Sequence, residues 1–302
     1  MIHLGIIGHP LGHTLSPKLH GWLLEQTGLT GAYTAWPTPP EALAARVAEF
    51  RLKAAQSQLH GFNVTLPHKT TIMPLLDAVD PLAQAIGAVN TVVIDARQQF
   101  YGYNTDAPGF WQSLPQPTRE ALAGQTAVLL GAGGSARAVG AALLKFGQIG
   151  RLVLAVRSPE AAQDTLACLQ ALASALAAGK PALQQVDLIP ISRALPDVLH
   201  SAALLVNTTP VGMHPNEDAM SLPEPEALRA FKALPAHALV VDLIYMPRPT
   251  RFLVAAAAHG VQTVDGLGML VHQGALALEQ WTQTSVNAAK RQALLAFLAT
   301  AL

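Results

Sequence analysis

Residues 126–147 read TAVLLGAGGSARAVGAALLKFG, which is a short apolar strand, a glycine-rich turn and an alanine-rich helix. A second apolar strand follows at once, RLVLAV at 151–156, so this stretch predicts one βαβ unit. In that setting, glycines let a pyrophosphate approach the N–H groups at the start of the helix. The candidate dinucleotide ligands are therefore the residues of the turn: Gly131, Ala132, Gly133, Gly134, Ser135 and Ala136. A turn that serves only close packing of strand and helix is the competing interpretation.

Two arginines near this unit indicate which dinucleotide binds. Where NAD-binding folds place an acid for the ribose 2′-hydroxyl, this chain has Val156, Arg157 and Ser158. A carboxylate there would repel a 2′-phosphate, whereas an arginine holds it with charge-assisted hydrogen bonds. The sequence thus predicts NADP as the cofactor and Arg157 as its phosphate ligand. Arg137, in the first helical turn, is either a second cation for the cofactor or a solvated residue.

The rest of the chain repeats the alternation of apolar strands and helical patterns. Strands are predicted at Ile2–Ile7, Tyr33–Trp36, Gly61–Thr65, Val89–Asp95, Ala203–Val206, Leu239–Asp242 and Val261–Val264. Helices are predicted at Pro17–Thr27, with Ser16 as its cap, at Pro39–Ala55, and twice within Met269–Leu302.

The length favours two α/β domains, because 302 residues are about twice the commonest domain size. Residues 1–105 with about 268–302 are expected to form the first domain, to which the C-terminal helices return. Residues 106–267 are expected to form a Rossmann-type, doubly wound dinucleotide-binding domain.

Composition excludes several classes of partner. The formal net charge is zero and only 13% of residues are charged, with no basic stripe for nucleic acid or an anionic membrane. The alanine-rich tracts are too short and too interrupted to span a membrane, and the opening MIHLGIIGHP lacks a basic leader. Cys168 is the single cysteine, so no internal disulfide is expected. We expect a cytoplasmic protein, a monomer or homodimer, that binds a small-molecule substrate.

Two polar segments in the first third suit the chemistry of hydride transfer. Lys69 ends the segment 61–69, GFNVTLPHK, and Asp106 ends the segment 102–106, GYNTD. Reduction of a ketone needs a group that stabilises and protonates the developing alkoxide, and a lysine beside a carboxylate can do this. Each segment alone is an ordinary turn or cap sequence, and sequence spacing does not place the two together.

Seven segments resemble the shikimate dehydrogenase family in order and spacing along nearly the whole chain. They are GHPLGHTLSP (8–17), NVTLPHK (63–69), GAVNT (87–91), NTD (104–106), NTTPVGM (207–213), DLIYMP (242–247) and GMLVHQ (268–273). The resemblance implies an NADP-dependent oxidoreductase that reversibly reduces 3-dehydroshikimate to shikimate, a step of chorismate and aromatic amino acid biosynthesis. It also implies that Lys69 shuttles the proton and that Asp106 orients it.

The same resemblance assigns binding residues. Those for the substrate carry hydroxyl or amide groups: Thr14 and Ser16 for the carboxylate, Tyr245 near it, and Asn63, Thr65, Asn90 and Gln273 for the rest of the molecule. Thr208, in the loop under the nicotinamide, and Gly266 are assigned to the cofactor. Taken singly, several of these residues also fit roles as caps, turn residues or solvated helix positions.

Two departures from the family pattern keep alternatives open. Thr14 stands where the family has serine, which adds a methyl group and makes quinate a plausible substrate. Val156 stands where NADP-dependent members have asparagine, which removes one polar contact but keeps Arg157. The alternatives are a quinate/shikimate dehydrogenase using NAD and a non-catalytic ligand-binding homologue, which would be free to lose Lys69 or Asp106. The scattered histidines predict no metal site.

Overall fold

The computed structural model describes residues 1–12, 14–177, 184–191 and 195–300. Two compact units make up the chain: Met1–Gly109 with the segment that starts at Val271, and Phe110–Leu270. We call these the first unit and the second unit. The first unit is therefore built from two separate stretches, and the second is continuous.

Strands and helices alternate along the described chain. The strands are β1 (Ile2–Gly8), β2 (Gly31–Pro37), β3 (Gly61–Val64), β4 (Ala78–Val79), β5 (Thr91–Ile94), β6 (Phe100–Tyr103), β7 (Thr126–Leu130), β8 (Arg151–Val156), β9 (Gln185–Pro190), β10 (Ala202–Asn207), β11 (Leu239–Asp242) and β12 (Gln262–Val264). The helices are α1 (Ser16–Gln26), α2 (Leu43–Ala55), α3 (Pro81–Ile86), α4 (Asp106–Ser113), α5 (Gln116–Ala121), α6 (Gly134–Lys145), α7 (Gln163–Ala177), α8 (Leu195–Leu199), α9 (Glu224–Ala233), α10 (Arg251–Ala258), α11 (Leu267–Thr282) and α12 (Ala288–Ala299). The predicted helical stretch Met269–Leu302 thus holds α11 and α12, and its last two residues lie outside the described part.

The first unit contains a mixed sheet with strand order β2-β1-β3-β5-β6-β4. β1 pairs in parallel with β2 and β3, while β5 runs antiparallel to β3 and β6. The structure adds β4 and β6 to the predicted strands. β4 has only two residues, and Gly102 weakens the strand pattern of β6.

Aromatic side chains pack α2 onto this sheet. The ring centroid of Phe50 lies 4.8 Å from that of Trp36 and 4.9 Å from that of Phe62, which in turn lies 5.9 Å from Phe100. The three phenylalanines are fully buried, and each such side chain contributes about 1.5–3 kcal/mol by leaving water. This packing fixes β3, from whose end the segment with Lys69 departs.

The second unit contains a parallel sheet with strand order β12-β11-β10-β7-β8-β9. Numbered within the unit and counted from β9, this order is 3-2-1-4-5-6, so the predicted Rossmann-type, doubly wound fold is confirmed. The order reverses between β7 and β10. The loops after these two strands therefore flank the crevice in which such folds bind their ligands.

Candidate active site

The turn that carries Lys69 is held by its backbone. The carbonyl oxygen of Lys69 accepts a hydrogen bond of 2.8 Å from the N–H of Val89, and the N–H of His68 donates to the carbonyl of Thr65 at 2.9 Å. The imidazole of His68 is buried, and its Nε2 lies 2.6 Å from the carbonyl oxygen of Thr38. Because hydrogen bonds to Val89 and Thr38, in two other segments of the unit, hold the turn, the Lys69 side chain starts from a fixed backbone.

Asp106 opens α4, and the preceding asparagine sets its position. Asn104 Oδ1 accepts from the N–H of Ala107 at 3.0 Å, and its Nδ2 donates to the carbonyl of Ala88 at 3.0 Å. The cap function expected of the sequence Asn-Thr-Asp thus falls to Asn104. Asp106 lies in the first helical turn, where the helix dipole stabilises a carboxylate.

Lys69 and Asp106 form an ion pair inside the first unit. Lys69 Nζ donates to Asp106 Oδ2 at 2.7 Å, and the two side chains are 16% and 10% exposed. The other carboxylate oxygen, Oδ1, accepts from Asn90 Nδ2 at 2.8 Å. Both oxygens of Asp106 are therefore engaged, so the carboxylate has one orientation beside the ammonium group. The structure brings together the two residues that sequence spacing left apart.

Asn90 is the centre of the polar cluster around Asp106. Its Nδ2 also donates to Thr105 Oγ1 at 2.9 Å and to Gln273 Oε1 at 3.4 Å, and its Oδ1 accepts from the N–H of Thr105 at 2.7 Å. Gln273 lies on α11, where an added Cβ at Gly109 would come within 2.7 Å of it. Glycine at position 109 therefore lets α4 and α11 approach closely enough for Gln273 to join the cluster.

Asn63, predicted to contact substrate, is already engaged within the protein. Its Nδ2 donates to the carbonyl of Asn90 at 3.1 Å and to Thr91 Oγ1 at 3.0 Å, and its Oδ1 accepts from the hydroxyl of Tyr33 at 2.7 Å. Since both N–H groups are donated, a substrate hydroxyl would have to approach Oδ1 as a donor. That contact stays a prediction.

Thr14 and Ser16 bring two hydroxyl groups together where α1 begins. Thr14 Oγ1 donates to Ser16 Oγ at 3.1 Å, and the N–H of Ser16 donates to Thr14 Oγ1 at 3.3 Å. The prediction of Ser16 as the helix cap is wrong, because Leu15 occupies the cap position and no side chain caps the helix start. The hydroxyl of Ser16 instead pairs with Thr14, close to the positive end of the α1 dipole, which favours a carboxylate.

The glycine-rich turn of the second unit begins where β7 ends. Gly131 has a φ of +103°, and an added Cβ would lie 2.8 Å from Thr209 Cγ2 and 3.1 Å from Thr208 Oγ1, so the position requires glycine. A Cβ added at Gly133 or Gly134 meets no described atom within 4 Å. This open space adjoins the first N–H groups of α6, which lack partners within the helix. The turn therefore has room for a pyrophosphate. The packing-only interpretation accounts for the crowded Gly131 but not for the open space at Gly133 and Gly134.

Arg137 is tied to the glycine-rich turn. Its Nε donates to Thr165 Oγ1 at 3.0 Å, and that hydroxyl donates to the carbonyl of Ala132 at 2.7 Å. Thr165 is buried on α7 and thus links the turn to the guanidinium group. Whether Arg137 is a second cation for the cofactor or a solvated residue stays a prediction. Arg157 is exposed directly after β8, where a guanidinium group is accessible to a phosphate.

Asp242 connects the segments that follow β10 and β11. The residue is fully buried; its Oδ1 accepts from Asn207 Nδ2 at 3.0 Å and from the N–H of Ile244 at 3.1 Å, and its Oδ2 accepts from the hydroxyl of Thr250 at 2.7 Å. Burial raises the pKa of Asp242 from 3.8 to about 6, although the three hydrogen bonds act to lower it. The carboxyl group thus holds two loops of the nucleotide-binding sheet at one point.

The other predicted residues of the second unit lie in these loops. Thr208 donates its hydroxyl to the carbonyl of Leu130 at 2.7 Å and so fastens the loop to the end of β7. A Cβ at Gly266 would overlap the carbonyl oxygen of Leu243, so this position also requires glycine. Tyr245 is half-buried after β11. Their contacts with cofactor or substrate stay predictions.

Several residues that were not predicted as site residues take part in these networks, among them Tyr33, Thr91, Asn104, Thr105 and Thr165. Thr105 directly precedes the candidate catalytic residue Asp106 in the sequence, which was a usable signal. Tyr33 and Thr165 carry no such signal, because their partners are distant in sequence.

The described residues were also searched for metal ligands and for helices that could span a membrane. Within residues 1–12, 14–177, 184–191 and 195–300, no three His, Cys, Asp or Glu side chains are grouped to hold a metal ion. No helix in the same ranges has the length and apolarity needed to cross a membrane. Cys168 is half-buried on α7, and burial raises the pKa of its thiol.

Comparison with known proteins gives matches along the chain. The family model described as shikimate dehydrogenase substrate binding domain matches residues 6–92, and that described as shikimate 5′-dehydrogenase C-terminal domain matches residues 266–290. The chain is 41% identical to shikimate dehydrogenase (NADP(+)) of Symbiobacterium thermophilum over 278 residues, which are 92% of this chain and 88% of that protein.

Solved structures match over both units. Shikimate 5-dehydrogenase of Thermus thermophilus, in complex with NADP(H) and shikimate, is 36% identical, with a TM-score of 0.78 over 98% of this chain and 99% of that one. Shikimate 5-dehydrogenase of Listeria monocytogenes, in complex with shikimate and NAD, is 30% identical, with a TM-score of 0.80 over 98% of this chain and 96% of that one. The likeness therefore extends well beyond the seven segments.

Proposed function

The chain belongs to the shikimate dehydrogenase family, and we propose that it reversibly reduces 3-dehydroshikimate to shikimate with NADP. The observation that carries the proposal is the ion pair between Lys69 and Asp106, 2.7 Å long and joined to Asn90. A lysine held in this way, with low exposure to water, can protonate a developing alkoxide.

We propose the following division of roles at the reacting carbon. When bound, NADPH supplies a hydride to the keto carbon, and NADP⁺ accepts one in the reverse direction. Lys69 Nζ gives its proton to the carbonyl oxygen during reduction and takes it from the hydroxyl during oxidation. Asp106 keeps Nζ in place through Oδ2, while Asn90 fixes the carboxylate through Oδ1.

The proposed binding residues follow from the chemistry of each ligand. For a small polyhydroxy acid they supply hydroxyl and amide groups: Thr14, Ser16, Asn63, Thr65, Asn90, Tyr245 and Gln273. For NADP they supply backbone N–H groups, positive charge, and glycines that let the cofactor come close to the backbone. These residues are Gly131, Ala132, Gly133, Gly134, Ser135, Ala136, Arg137, Arg157, Thr208 and Gly266.

The proposed domains are a substrate-binding and catalytic domain, residues 1–105 plus about 268–302, and an NADP-binding domain, residues 106–267. The matches to relatives along both stretches support this division. The biosynthetic role of the family supports a cytoplasmic location. We keep a monomer or homodimer as the proposed assembly.

A second candidate is a quinate/shikimate dehydrogenase that uses NAD. Thr14, which carries a methyl group beside its hydroxyl, favours it, and the Listeria relative is seen with NAD. Arg157 after β8, with no acid at that position, argues for NADP. A non-catalytic homologue is disfavoured by the intact ion pair.

The test is a steady-state assay that follows reduced nicotinamide, with shikimate or quinate offered in turn with NADP or NAD. Turnover that is fastest with shikimate and NADP is the expected result. Preference for quinate or for NAD would establish the second candidate instead, and no turnover with any of the four pairs would contradict both.

A further inference from the structure

Tyr33 occupies β2 at the edge of the first unit's sheet, and its ring stacks on a buried histidine. The ring centroids of Tyr33 and His20 are 4.3 Å apart, with 14° between the planes, and Trp281 contacts the His20 ring from a centroid 5.2 Å away. Burial lowers the pKa of His20 to about 3, so the ring is neutral. His20 Nδ1 has no hydrogen-bond partner among the described residues. The histidine therefore acts as an uncharged platform for the tyrosine.

The hydroxyl of Tyr33 can only donate in its bond to Asn63. Asn63 Nδ2 donates to the carbonyl of Asn90, a group that accepts and never donates, so the amide's other end, Oδ1, must face Tyr33. A carbonyl oxygen accepts, which makes the phenol the donor across the 2.7 Å bond. Tyr33 and Asn90 thus fix the amide of Asn63 from opposite ends.

A chain of hydrogen bonds leads from the Asn63 amide through Asn90 to the pair of Lys69 and Asp106. Asn63 holds the backbone of Asn90, and Asn90 in turn donates to Asp106 Oδ1 at 2.8 Å. On its other side, the phenol of Tyr33 interacts with the hydroxyl of Ser16; burial raises the pKa of the phenol well above its usual range, and Ser16 partly opposes that effect. Tyr33 therefore contacts both Ser16, a proposed ligand of the substrate carboxylate, and Asn63, which holds Asn90 beside Asp106.

We propose that Tyr33, seated on His20, is a positioning residue for the reaction: its hydroxyl orients the Asn63 amide and thereby places Asn90 beside Asp106. The inference rests on the proposed function. Without the hydroxyl, Asn63 Oδ1 loses its 2.7 Å bond, and the amide is then held only through its Nδ2 and by the side-chain hydrogen bond with His20. A less firmly held Asn63 amide places the backbone of Asn90 less well. We expect Tyr33→Phe to lower kcat/KM for shikimate about tenfold, the usual effect of leaving one buried polar group unpaired.

A double-mutant cycle tests this path. Tyr33→Phe and Asn63→Ala are made singly and together, and kcat/KM for shikimate is measured for all four proteins. If Tyr33 acts through Asn63, Tyr33→Phe costs about tenfold alone and little in the Asn63→Ala background. Should Asn63→Ala not fold, Asn63→Leu, an uncharged side chain of similar size with neither the amide oxygen nor the N–H donors, replaces it with the same expectation of non-additive losses.

Two controls separate positioning from a general loss of structure. Tyr101→Phe, on the partly exposed face of β6, is the matched substitution and should leave kcat/KM unchanged in both backgrounds. The affinity for NADPH, measured by fluorescence titration, should stay the same in Tyr33→Phe, because the second unit is untouched.

Additive losses in an active chain, or a parallel loss of NADPH affinity, would overturn this inference while leaving the proposed function intact. Failure of the unaltered chain to oxidise shikimate would refute the proposed function and this inference with it.

Discussion

Replacing Asp242 with asparagine should stabilise the second unit at neutral and alkaline pH and progressively less in acid. The carboxyl group is fully buried, and burial raises its pKa from 3.8 to about 6. A folded-state pKa above the unfolded value means that the folded protein holds the proton more tightly. The stabilising contribution of this proton is fully present below about pH 4 and is lost as the pH rises through 6.

The size of the effect follows from the same two values. A rise from 3.8 to about 6 corresponds to about 3 kcal/mol of unfolding free energy, lost once the carboxyl group is ionised. Asparagine carries no charge, and its Oδ1 still accepts from Asn207 and Ile244. Its Nδ2 donates to the oxygen of Thr250, whose hydroxyl proton must turn away. The advantage of the variant over the unaltered chain should therefore grow by about 1–2 kcal/mol between pH 5 and pH 8.

The assay is urea unfolding of both proteins at pH 5 and pH 8, with the difference in unfolding free energy compared at the two pH values. Asp197→Asn, an exposed aspartate on α8 of the same unit, is the matched control, and its difference should not change with pH. A difference for Asp242→Asn that is constant, or that shrinks as the pH rises, would refute the argument that burial dominates the hydrogen bonds at this carboxyl group.

Three further substitutions test the site. Lys69→Ala should lower kcat for shikimate at least about 100-fold with a smaller change in KM, because the lost contact forms in the transition state; steady-state kinetics that show the loss mainly in KM would contradict this. Arg157→Ala should raise KM for NADP about tenfold and leave KM for NAD unchanged; an unchanged ratio of the two would exclude Arg157 as the phosphate ligand. Gly109→Ala should lower both Tm and the affinity for shikimate, because its Cβ would come within 2.7 Å of Gln273, whereas Gly21→Ala, with open space around it, should do neither.

Local patterns predicted the second unit well except for the edge strand β9 (Gln185–Pro190), which was not predicted. The strand, turn and helix of 126–147 are properties of adjacent residues, and the alternating strands and helices then allow few sheet orders. The mixed sheet of the first unit was only partly predicted. Its strands β4 and β6 are short, and their pairing depends on residues far along the chain.

The candidate site shows the same limit. Lys69 and Asp106 are 37 positions apart, so their contact was predicted only by resemblance to a family and not by spacing. Ser16 was predicted as a cap because its position before a proline suits one, but a hydroxyl partner two residues away competes for it. The bonds of Tyr33 to Asn63, and of Asn207 to Asp242, form between segments that only the tertiary structure brings together.

The divided construction of the first unit affects how the protein is made. Residues 1–109 are synthesised before the second unit, whereas most of α11 is synthesised after it. This later part of α11 packs Gly274 against Leu19, and its Trp281 Nε1 donates to the carbonyl of Val92. At that stage the nascent chain contains the complete second unit, while the surface around Leu19 and Val92 is still exposed because α11 has not yet packed on it. Gln273 arrives with that helix, so the polar cluster around Asn90 is completed only after the second unit has been synthesised.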